Sequence, residues 1–505
     1  MLPLAIFVGA LSGCALGPDF RRPDPPHADR YTSQALQVES AEPANDSAQH
    51  VVLGEQVRHD WWGLFQSDAL DDVVKRALIG NRTLIAAAST LAQAQELAAA
   101  QAGTLYPQVA LTAATGRQKY GAEFLGTSPK PPSFTYFAVG PTISYALDYT
   151  GGVARSVEQQ YALADYQRQQ LDAAYLAVTG NAVMQALRIA SLRAQIATVD
   201  AVLDQDRENL KLVQVAFAAG SVSRVDIVSA NSQLASDTTL LPPLRQELSL
   251  AQHALAVVLG QPPANAALPE FDLAHLVLPR HVPISLPSEL AHRRPDILAA
   301  EAQLHAATAA VGIANANLYP HINLTAATGQ QATDFGHLFD RASNVWSLAG
   351  ALVAPLFDGG TLRAEQRAAV DAMHASAANY EQTVLVAFGQ VADVLQALDH
   401  DAEQLDAQAR AQDAARDNLD LTRRSYHEGN VGVLQILDAE RLYQQARLGY
   451  VRAQAQRYID TVQLFLALGG SGPDADTSSE GRTHHSAAEG ALQPSFIPDA
   501  SQRGR

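Results

Sequence analysis

Apolar and polar residues alternate with a period of two in four stretches of this chain. In the first stretch, Val109, Leu111 and Ala113 share one face, and Gln108 and Thr112 lie on the other. This period is typical of β-strands. We therefore predict four strands of roughly ten residues or more, at about 107–118, 134–147, 320–330 and 345–357.

Long stretches with helical spacing separate and follow these strands. Two of them contain no proline and no alternating segment, 153–219 and 361–428. About 67 helical residues at about 1.5 Å each give helices roughly 100 Å long. Glycine at 220 and 429 suits the residue after a helix end. We predict shorter helices at about 81–104 and 294–317, and returning helices at about 223–259 and 432–468.

The chain is an internal duplication. Leu105-Tyr106-Pro107 recurs as Leu318-Tyr319-Pro320, and the six residues 111–116 recur identically as 324–329. Both matches have an offset of 213 and occur in the same order. Such self-similarity indicates a repeated structural unit. Each unit therefore contains a first helix, a pair of strands and a very long helical hairpin.

Composition and charge exclude several classes of function. The 505 residues carry a formal net charge of −17, which disfavours a general nucleic-acid binder. Cys14 is the single cysteine, so an internal disulfide and a cysteine-rich zinc site are excluded. No apolar run reaches 18 residues without a breaker, so we do not expect a transmembrane helix.

The N-terminus has the pattern of a bacterial lipoprotein. Residues 1–10 form a short apolar run that is typical of a signal peptide. Leu11-Ser12-Gly13-Cys14 then resembles a lipoprotein processing site, where the cysteine thiol receives a diacylglycerol and its amine an acyl chain such as palmitate. Residue 15 is Ala rather than Asp, which in such lipoproteins implies release to the outer membrane.

These features divide the chain into six segments. The predicted boundaries are a signal peptide at 1–13, a lipid anchor and N-terminal equatorial segment at 14–65, a first repeat at 66–260, a proline-rich connector at 261–290, a second repeat at 291–469 and a disordered tail at 470–505. The tail is rich in Gly, Ser and Asp, a composition that does not support a packed core.

If the predicted strands span a membrane, the protein must be an oligomer. Four strands cannot close a barrel, and an open sheet edge in lipid leaves backbone N–H and C=O groups unpaired. Several chains must then share one barrel. Eight strands make a barrel filled by side chains, so a conducting barrel favours three or more copies.

The chain resembles the TolC-like outer-membrane efflux proteins, in particular the lipid-anchored OprM/NodT-type branch, over about residues 14–469. The motifs that carry this resemblance are Cys14 with Gly17-Pro18-Asp19-Phe20, Asp60-Trp61-Trp62-Gly63-Leu64-Phe65, both Tyr-Pro pairs, Arg293-Arg294-Pro295-Asp296-Ile297, Pro355-Leu356-Phe357-Asp358-Gly359-Gly360, Tyr426-His427-Glu428-Gly429 and Leu437-Asp438-Ala439. The resemblance implies an α+β membrane protein, a trimer with a twelve-stranded outer-membrane β-barrel that continues as a long periplasmic α-helical barrel.

The same resemblance implies a gate at the periplasmic tip. Leu434, Asp438 and Arg441 match a constriction of the lipid-anchored members, and their i, i+4 and i+7 spacing places them on one helix face. Threefold symmetry would turn each into a ring, with Asp438 favouring cations. The TolC type forms a tip salt bridge through an Arg where this chain has Val431. We therefore do not transfer that bridge to Asp226.

The function implied is the passive exit duct of a tripartite efflux pump, conducting small toxic compounds or drugs. The partners implied are a periplasmic adaptor that grips the helix tips around Gly220, Asp226 and Gly429, an inner-membrane transporter of the RND type and outer-membrane lipid. No cofactor other than the Cys14 lipid is expected, and no nucleic acid.

Two alternatives remain open at this point, a type I secretion duct and a poreless periplasmic coiled-coil lipoprotein scaffold. A scaffold would not need the paired amphipathic strands. We do not expect an enzyme, because the sequence contains neither His-Glu-x-x-His nor Gly-x-Ser-x-Gly, and no P-loop or dinucleotide spacing.

Overall fold

The computed structural model describes residues 15–24, 30–32, 49–55, 57–119 and 132–470. Cys14, the predicted signal peptide and nearly all of the predicted tail lie outside these described residues. In chain order the elements are β1 (His50–Leu53), α1 (Asp68–Gly80), α2 (Arg82–Ala102), β2 (Gln108–Gln118), β3 (Phe134–Leu147), α3 (Gly152–Ala218), α4 (Arg224–Thr238), α5 (Leu241–Val258), β4 (His281–Ile284), α6 (Pro287–Leu290), α7 (Pro295–Ala316), β5 (His321–Ala332), β6 (Asn344–Val353), α8 (Thr361–His427) and α9 (Val433–Ala467).

The four long strands form one antiparallel sheet in the order β2-β3-β5-β6. The two repeats meet at β3 and β5, where Ser144 pairs with Thr325. Strands β2 and β6 are the sheet edges, and each has one neighbour within the described chain. Large apolar side chains on these edge strands face outward, with Leu111 and Leu348 each about three-quarters exposed. Such a sheet presents an apolar surface that water does not stabilise.

The two longest helices begin in the same way and have the same length. Helices α3 and α8 each contain 67 residues, which corresponds to roughly 100 Å. Glycine with positive φ precedes each, at Gly151 and Gly360. An aspartate upstream accepts from free backbone N–H groups of the first turn, Asp148 in the first repeat and Asp358 in the second. The same local hydrogen bonding therefore begins the long helix after the strand in both repeats.

The first returning helix is broken, which corrects the expectation of one helix over 223–259. Helix α4 ends at Thr238 and α5 begins at Leu241. Pro242 and Pro243 lie in the first turn of α5, where their missing N–H groups are tolerated. Inside a continuous helix they would remove two hydrogen bonds and clash with preceding carbonyls. The second returning helix, α9, is continuous over 35 residues.

The main hydrophobic core surrounds the middle of the long helices. Trp61, Phe65 and Phe465 are almost fully buried there, and the Trp61 and Phe465 ring centroids are 5.5 Å apart. The short strands β1 and β4 pair in parallel beside this core. The Trp61-Trp62 pair is thus part of the packing, as its large apolar area would favour.

Helix α7 is the one described helix that is long and apolar enough to cross a membrane, by length and composition only. A packed core helix can pass the same test, so the expectation that the chain has no transmembrane helix stays a prediction. The alanines of α7 are apolar but small, so a helix rich in them also fits between neighbouring helices. In this fold α7 packs against both α3 and α8, and 44% of its most apolar window is buried.

The segment after Cys14 docks at the junction of sheet and helix. The Leu16 N–H donates to the Thr150 carbonyl at 3.0 Å, and Asp19 pairs with Arg155 at 2.5 Å. The Phe20 ring stacks on His305 with centroids 4.4 Å apart. A Cβ atom on Gly151 would lie 2.6 Å from the Ala15 Cα. The chain next to Cys14 is therefore held at the base of the sheet.

Candidate functional site

The two hairpins turn in the same way at the end of the molecule far from the sheet. Gly220 and Gly429 follow α3 and α8 with φ of 75° and 77°. Their N–H groups bond back to the carbonyls of Phe217 and Tyr426, both at 2.9 Å. Positive φ at this point is the usual helix ending, and glycine adopts it without strain. We call these turns and the adjoining helix ends the hairpin tip.

A small apolar cluster joins the two hairpins at the tip. Val213 and Ala230 of the first hairpin pack against Val433 and Leu437 of the second, and all four are buried. This cluster is separate from the main core. Because it is small, its burial stabilises the tip by only a few kcal/mol. Apolar packing therefore holds the hairpins together less strongly here than in the main core.

The three residues expected to form a gate lie on the exposed face of α9. Leu434 is 49% exposed in one chain, and the side chains of Asp438 and Arg441 are 62% and 42% exposed. Arg441 donates to the Asp438 carboxylate at 2.8 Å. The opposite face of α9 is buried and contains Ile436 and Leu437. The chain thus presents an apolar residue and an ion pair together at the tip.

Asp226 has a local partner at the start of α4. Its carboxylate accepts from both the N–H and the O–H of Ser223, at 2.7 and 2.8 Å. These hydrogen bonds lower the pKa of Asp226. The carboxylate therefore caps its own helix.

Sequence reasoning missed a buried contact directly behind the gate face. Glu440 is 3% exposed and accepts hydrogen bonds from two other helices. One donor is the Asn209 side chain of α3, and the other is Arg423 of α8, at 2.9 Å. Burial raises the pKa of Glu440, and the guanidinium of Arg423 opposes that rise. We call Glu440, Asn209 and Arg423 the clasp.

Sequence reasoning also missed a pair of buried acids beside the clasp. Asp206 of α3 is 3% exposed and Asp237 of α4 is 9% exposed. Burial, followed by the Asp237 carboxyl and the Glu440 charge, raises the pKa of Asp206 to about 7. Gln233 donates to Asp237 at 2.8 Å. Helical spacing could not predict that these two acids meet, because they lie on different helices.

A second acid pair lies nearer the main core. Asp401 of α8 faces Asp460 of α9, and Arg457 is adjacent. Burial and the Asp460 carboxyl raise the pKa of Asp401 to about 8. Within the ranges that the structure describes, no group of three or more His, Cys, Asp or Glu side chains could hold a metal ion.

The geometry defines a class of protein. A four-stranded apolar sheet with two open edges continues into helices roughly 100 Å long, and these end at a narrow tip with a charged face. This is one subunit of an oligomeric outer-membrane channel. The family model described as "Outer membrane efflux protein" matches residues 73–261 and 286–470. The chain belongs to this family of outer-membrane efflux proteins.

Curated relatives agree over nearly the whole chain. The pyoverdine export outer membrane protein OpmQ of Pseudomonas aeruginosa is 31% identical over 81% of this chain and 87% of its own. The probable efflux pump outer membrane protein TtgC of Pseudomonas putida is 30% identical over 93% of this chain and 95% of its own. The expected resemblance is thereby confirmed, as is the location in the outer membrane.

Solved structures agree on the fold. The outer-membrane channel OprN superposes with a TM-score of 0.81 at 28% identity, covering 91% of this chain and 99% of its own. The Neisseria gonorrhoeae MtrE channel, solved in its open state, gives 0.77 at 25% identity over 90% and 98%. These neighbours are TolC-like, and such channels are trimers. The protein is therefore an outer-membrane exit channel of tripartite efflux pumps.

Proposed function

We propose that this channel conducts small toxic compounds passively and carries out no catalytic step. Relatives of similar identity have names that refer to different cargo, pyoverdine for one, toluene for another and antibiotics for a third. One duct fold with such different cargo is the expected result if selection occurs elsewhere in the pump. An inner-membrane transporter of the RND type would then supply the energy.

A periplasmic adaptor is the partner that we propose for the hairpin tip. Around Asp226 the first hairpin exposes two valines, Val225 at 66% and Val228 at 60%. Exposed apolar side chains next to charged ones favour a protein contact. The positive-φ turn at Gly220 places this surface at the end of the first hairpin, and Gly429 makes the corresponding turn in the second. The tip of the homotrimer would thus offer the adaptor repeated copies of one surface.

We propose Leu434, Asp438 and Arg441 as the periplasmic gate. The observation that carries this proposal is the shared exposed face of α9, where Leu434 lies beside the Asp438–Arg441 ion pair. In a trimer, three copies would form an apolar ring and a charged ring. A ring of carboxylates favours cations. The arginines reduce the electrostatic repulsion among the three carboxylates.

Single-channel recording in a planar bilayer tests the gate. Asp438→Ala removes the ion pair and should raise the mean current of the resting channel. Asp413→Ala is a matched control, because Asp413 also pairs with an exposed arginine three residues later, at 3.4 Å. Equal currents in wild type, Asp438→Ala and Arg441→Ala would exclude the gate and leave the duct intact.

A lipid on Cys14 is the further proposal for this chain. The docking of Leu16 at Thr150 and of Ala15 at Gly151 supports it, because the neighbouring residue is held at the base of the sheet. A diacylglycerol and an N-acyl chain there would enter the inner leaflet of the outer membrane. Mass spectrometry of the mature protein should show this lipid, and Cys14→Ser should remove it. An unmodified wild-type chain would contradict the assignment.

The two-repeat organisation is also proposed, with repeats at 66–260 and 291–469 and a connector at 261–290. The matched glycine turns at Gly220 and Gly429 and the equal lengths of α3 and α8 support it. Separate expression of the two repeats followed by co-purification would test whether each is a unit.

A further inference from the structure

Asp206 has an unusual environment for a carboxylate. Neither of its oxygens is exposed, and neither makes a hydrogen bond of ordinary geometry with the residues that the structure describes. The groups that face it are the Asp237 carboxyl of α4 and, from α9, Glu440 and the Gln444 side chain. A buried ionised carboxylate is strongly unfavourable, and the Gln444 amide only partly offsets burial and the two neighbouring acids.

A proton between Asp206 and Asp237 resolves this arrangement. Two carboxylates accept only, so they can bond to each other only when one of them carries a proton. With that proton the pair forms one O–H···O hydrogen bond and a single negative charge. Gln233 then donates to the Asp237 carboxylate at 2.8 Å and helps to hold that charge.

Removal of the proton places repulsive charge between three helices. Asp206 on α3 would face Asp237 on α4 and Glu440 on α9, and all three would be negative. The cation described in this group is Arg423 on α8, which pairs with Glu440. One guanidinium cannot balance three carboxylates, so α4 and α9 are pushed away from α3.

The clasp transmits this change to the gate helix. Glu440 lies on the buried face of α9, two residues after Asp438. Its contacts to Asn209 and Arg423 fix α9 against α3 and α8. Loss of these contacts leaves the small apolar cluster of Val213 and Leu437 as the nearest link between the hairpins. The position of Asp438 in the trimer then becomes free to change.

We propose that the Asp206–Asp237 pair and the clasp form a proton-controlled latch, in which the shared proton holds α9 in its resting position and its loss permits the gate to open. This inference rests on the proposed gate at Leu434, Asp438 and Arg441. It assigns a positioning role to Asp206, Asp237 and Glu440, none of which faces the exposed gate surface.

The direction of the pH response follows from the pKa of Asp206. In the packed state this pKa is about 7, whereas a solvated aspartate has an ordinary value of 3.8. Between pH 3.8 and about 7, the packed state therefore binds more protons than a state in which Asp206 is solvated. It is favoured at low pH, loses its advantage as pH rises towards 7, and changes no further above that point.

Planar-bilayer recording across pH tests the latch in the full trimer. We expect the wild-type mean current to rise about tenfold from pH 5.5 to 7.5 and then to level off. Asp206→Asn supplies an amide donor to Asp237 at every pH. Its current should remain near the wild-type value at pH 5.5, within about twofold, across the whole range.

Asp401→Asn is the matched control. Asp401 is also a buried acid that faces a second aspartate, Asp460, but it lies 28 residues before Gly429, roughly 40 Å along the helix. This variant should retain the wild-type rise below pH 7.5. A pH response that is the same in Asp206→Asn and wild type, or that is lost in Asp401→Asn, would overturn the latch.

Melting of the detergent-solubilised trimer provides a readout that does not depend on the gate. The wild-type midpoint should decrease from pH 5.5 to 7.5, and the decrease should be smaller in Asp206→Asn. Identical melting profiles would overturn the titration itself. If Asp438→Ala raises the current but Asp206→Asn leaves the pH response unchanged, the latch fails and the gate stands. If Asp438→Ala has no effect, the gate fails.

Discussion

The two hairpins leave the sheet in the same way and return differently. Helices α3 and α8 have equal lengths, similar starts and the same glycine ending. The returning arm of the first hairpin is split between Thr238 and Leu241, whereas that of the second is one helix of 35 residues. The duplicated sequence therefore forms one interrupted returning arm, α4 and α5, and one continuous returning arm, α9. We call the interruption between Thr238 and Leu241 the joint.

This difference separates two roles. Asp237 lies in the last turn of α4, immediately before the joint, and a helix C-terminus disfavours negative charge. The gate residues lie instead on the continuous α9, which transmits a displacement along its length. The interrupted arm thus carries Asp237, which faces the buried Asp206 of α3, and the continuous arm carries the proposed gate.

The largest expected effect comes from breaking the link between the two hairpins. Glu440→Ala leaves the Asn209 amide, 7% exposed, and the Arg423 guanidinium without their acceptor. Loss of one partner from a buried polar pair costs about 3 kcal/mol, although Arg423 can reach water and reduce this. The melting midpoint of the detergent-solubilised protein, followed by circular dichroism, should fall by several degrees.

Glu440→Gln serves as the control for this prediction. The glutamine keeps the shape of the side chain and one oxygen that accepts from Asn209, so its midpoint should lie between wild type and Glu440→Ala. An alanine variant as stable as wild type would show that the hairpins are held by the apolar contacts alone.

The next effect tests whether the joint belongs to the first hairpin only. The hairpin glycines Gly220 and Gly429 are 209 residues apart, and at this offset Pro242 corresponds to Val451 of α9. Val451→Pro removes a hydrogen bond from the middle of a continuous helix and should cost about 3 kcal/mol. Pro242→Ala should be nearly neutral, because that proline lies in a first turn. The two melting midpoints provide the comparison, and equal shifts would refute the assigned difference between the arms.

Strand alternation and helix length were predictable because each depends on a local period. The starts and ends of α3 and α8 agree with the sequence to within one residue, since glycine fixes both ends. The broken return helix was not predicted, although Pro242-Pro243 is visible in the sequence.

The clasp and the acid pair could not be predicted in the same way. Asn209, Arg423 and Glu440 lie on three helices, and their contact depends on how those helices cross. A buried Glu440 and an exposed Asp438 are only two residues apart in the sequence. Which of the two faces inward depends on tertiary packing, which no periodicity in a polar helix reveals. The gate residues were found through family resemblance rather than through spacing.

The smallest expected effect compares the first turns of the two returning arms. At α4 the Ser223 N–H donates to the Asp226 carboxylate at 2.7 Å, and at α9 the Gly432 N–H donates to the Gln435 amide oxygen at 3.0 Å. Only the first of these acceptors titrates. The lowered pKa of Asp226 means that its capping contribution is present above the ordinary value of 3.8 and is lost as pH falls through the folded value.

Amide hydrogen exchange in the first turns measures this difference. Asp226→Asn should increase exchange in the first turn of α4 relative to wild type at pH 6, and the two proteins should converge once the pH falls below the lowered pKa of Asp226. Gln435→Glu should give the first turn of α9 the pH dependence that wild type shows only in α4. A ratio between Asp226→Asn and wild type that does not change with pH would mean that the cap acts through shape rather than charge, and that the two arms begin alike.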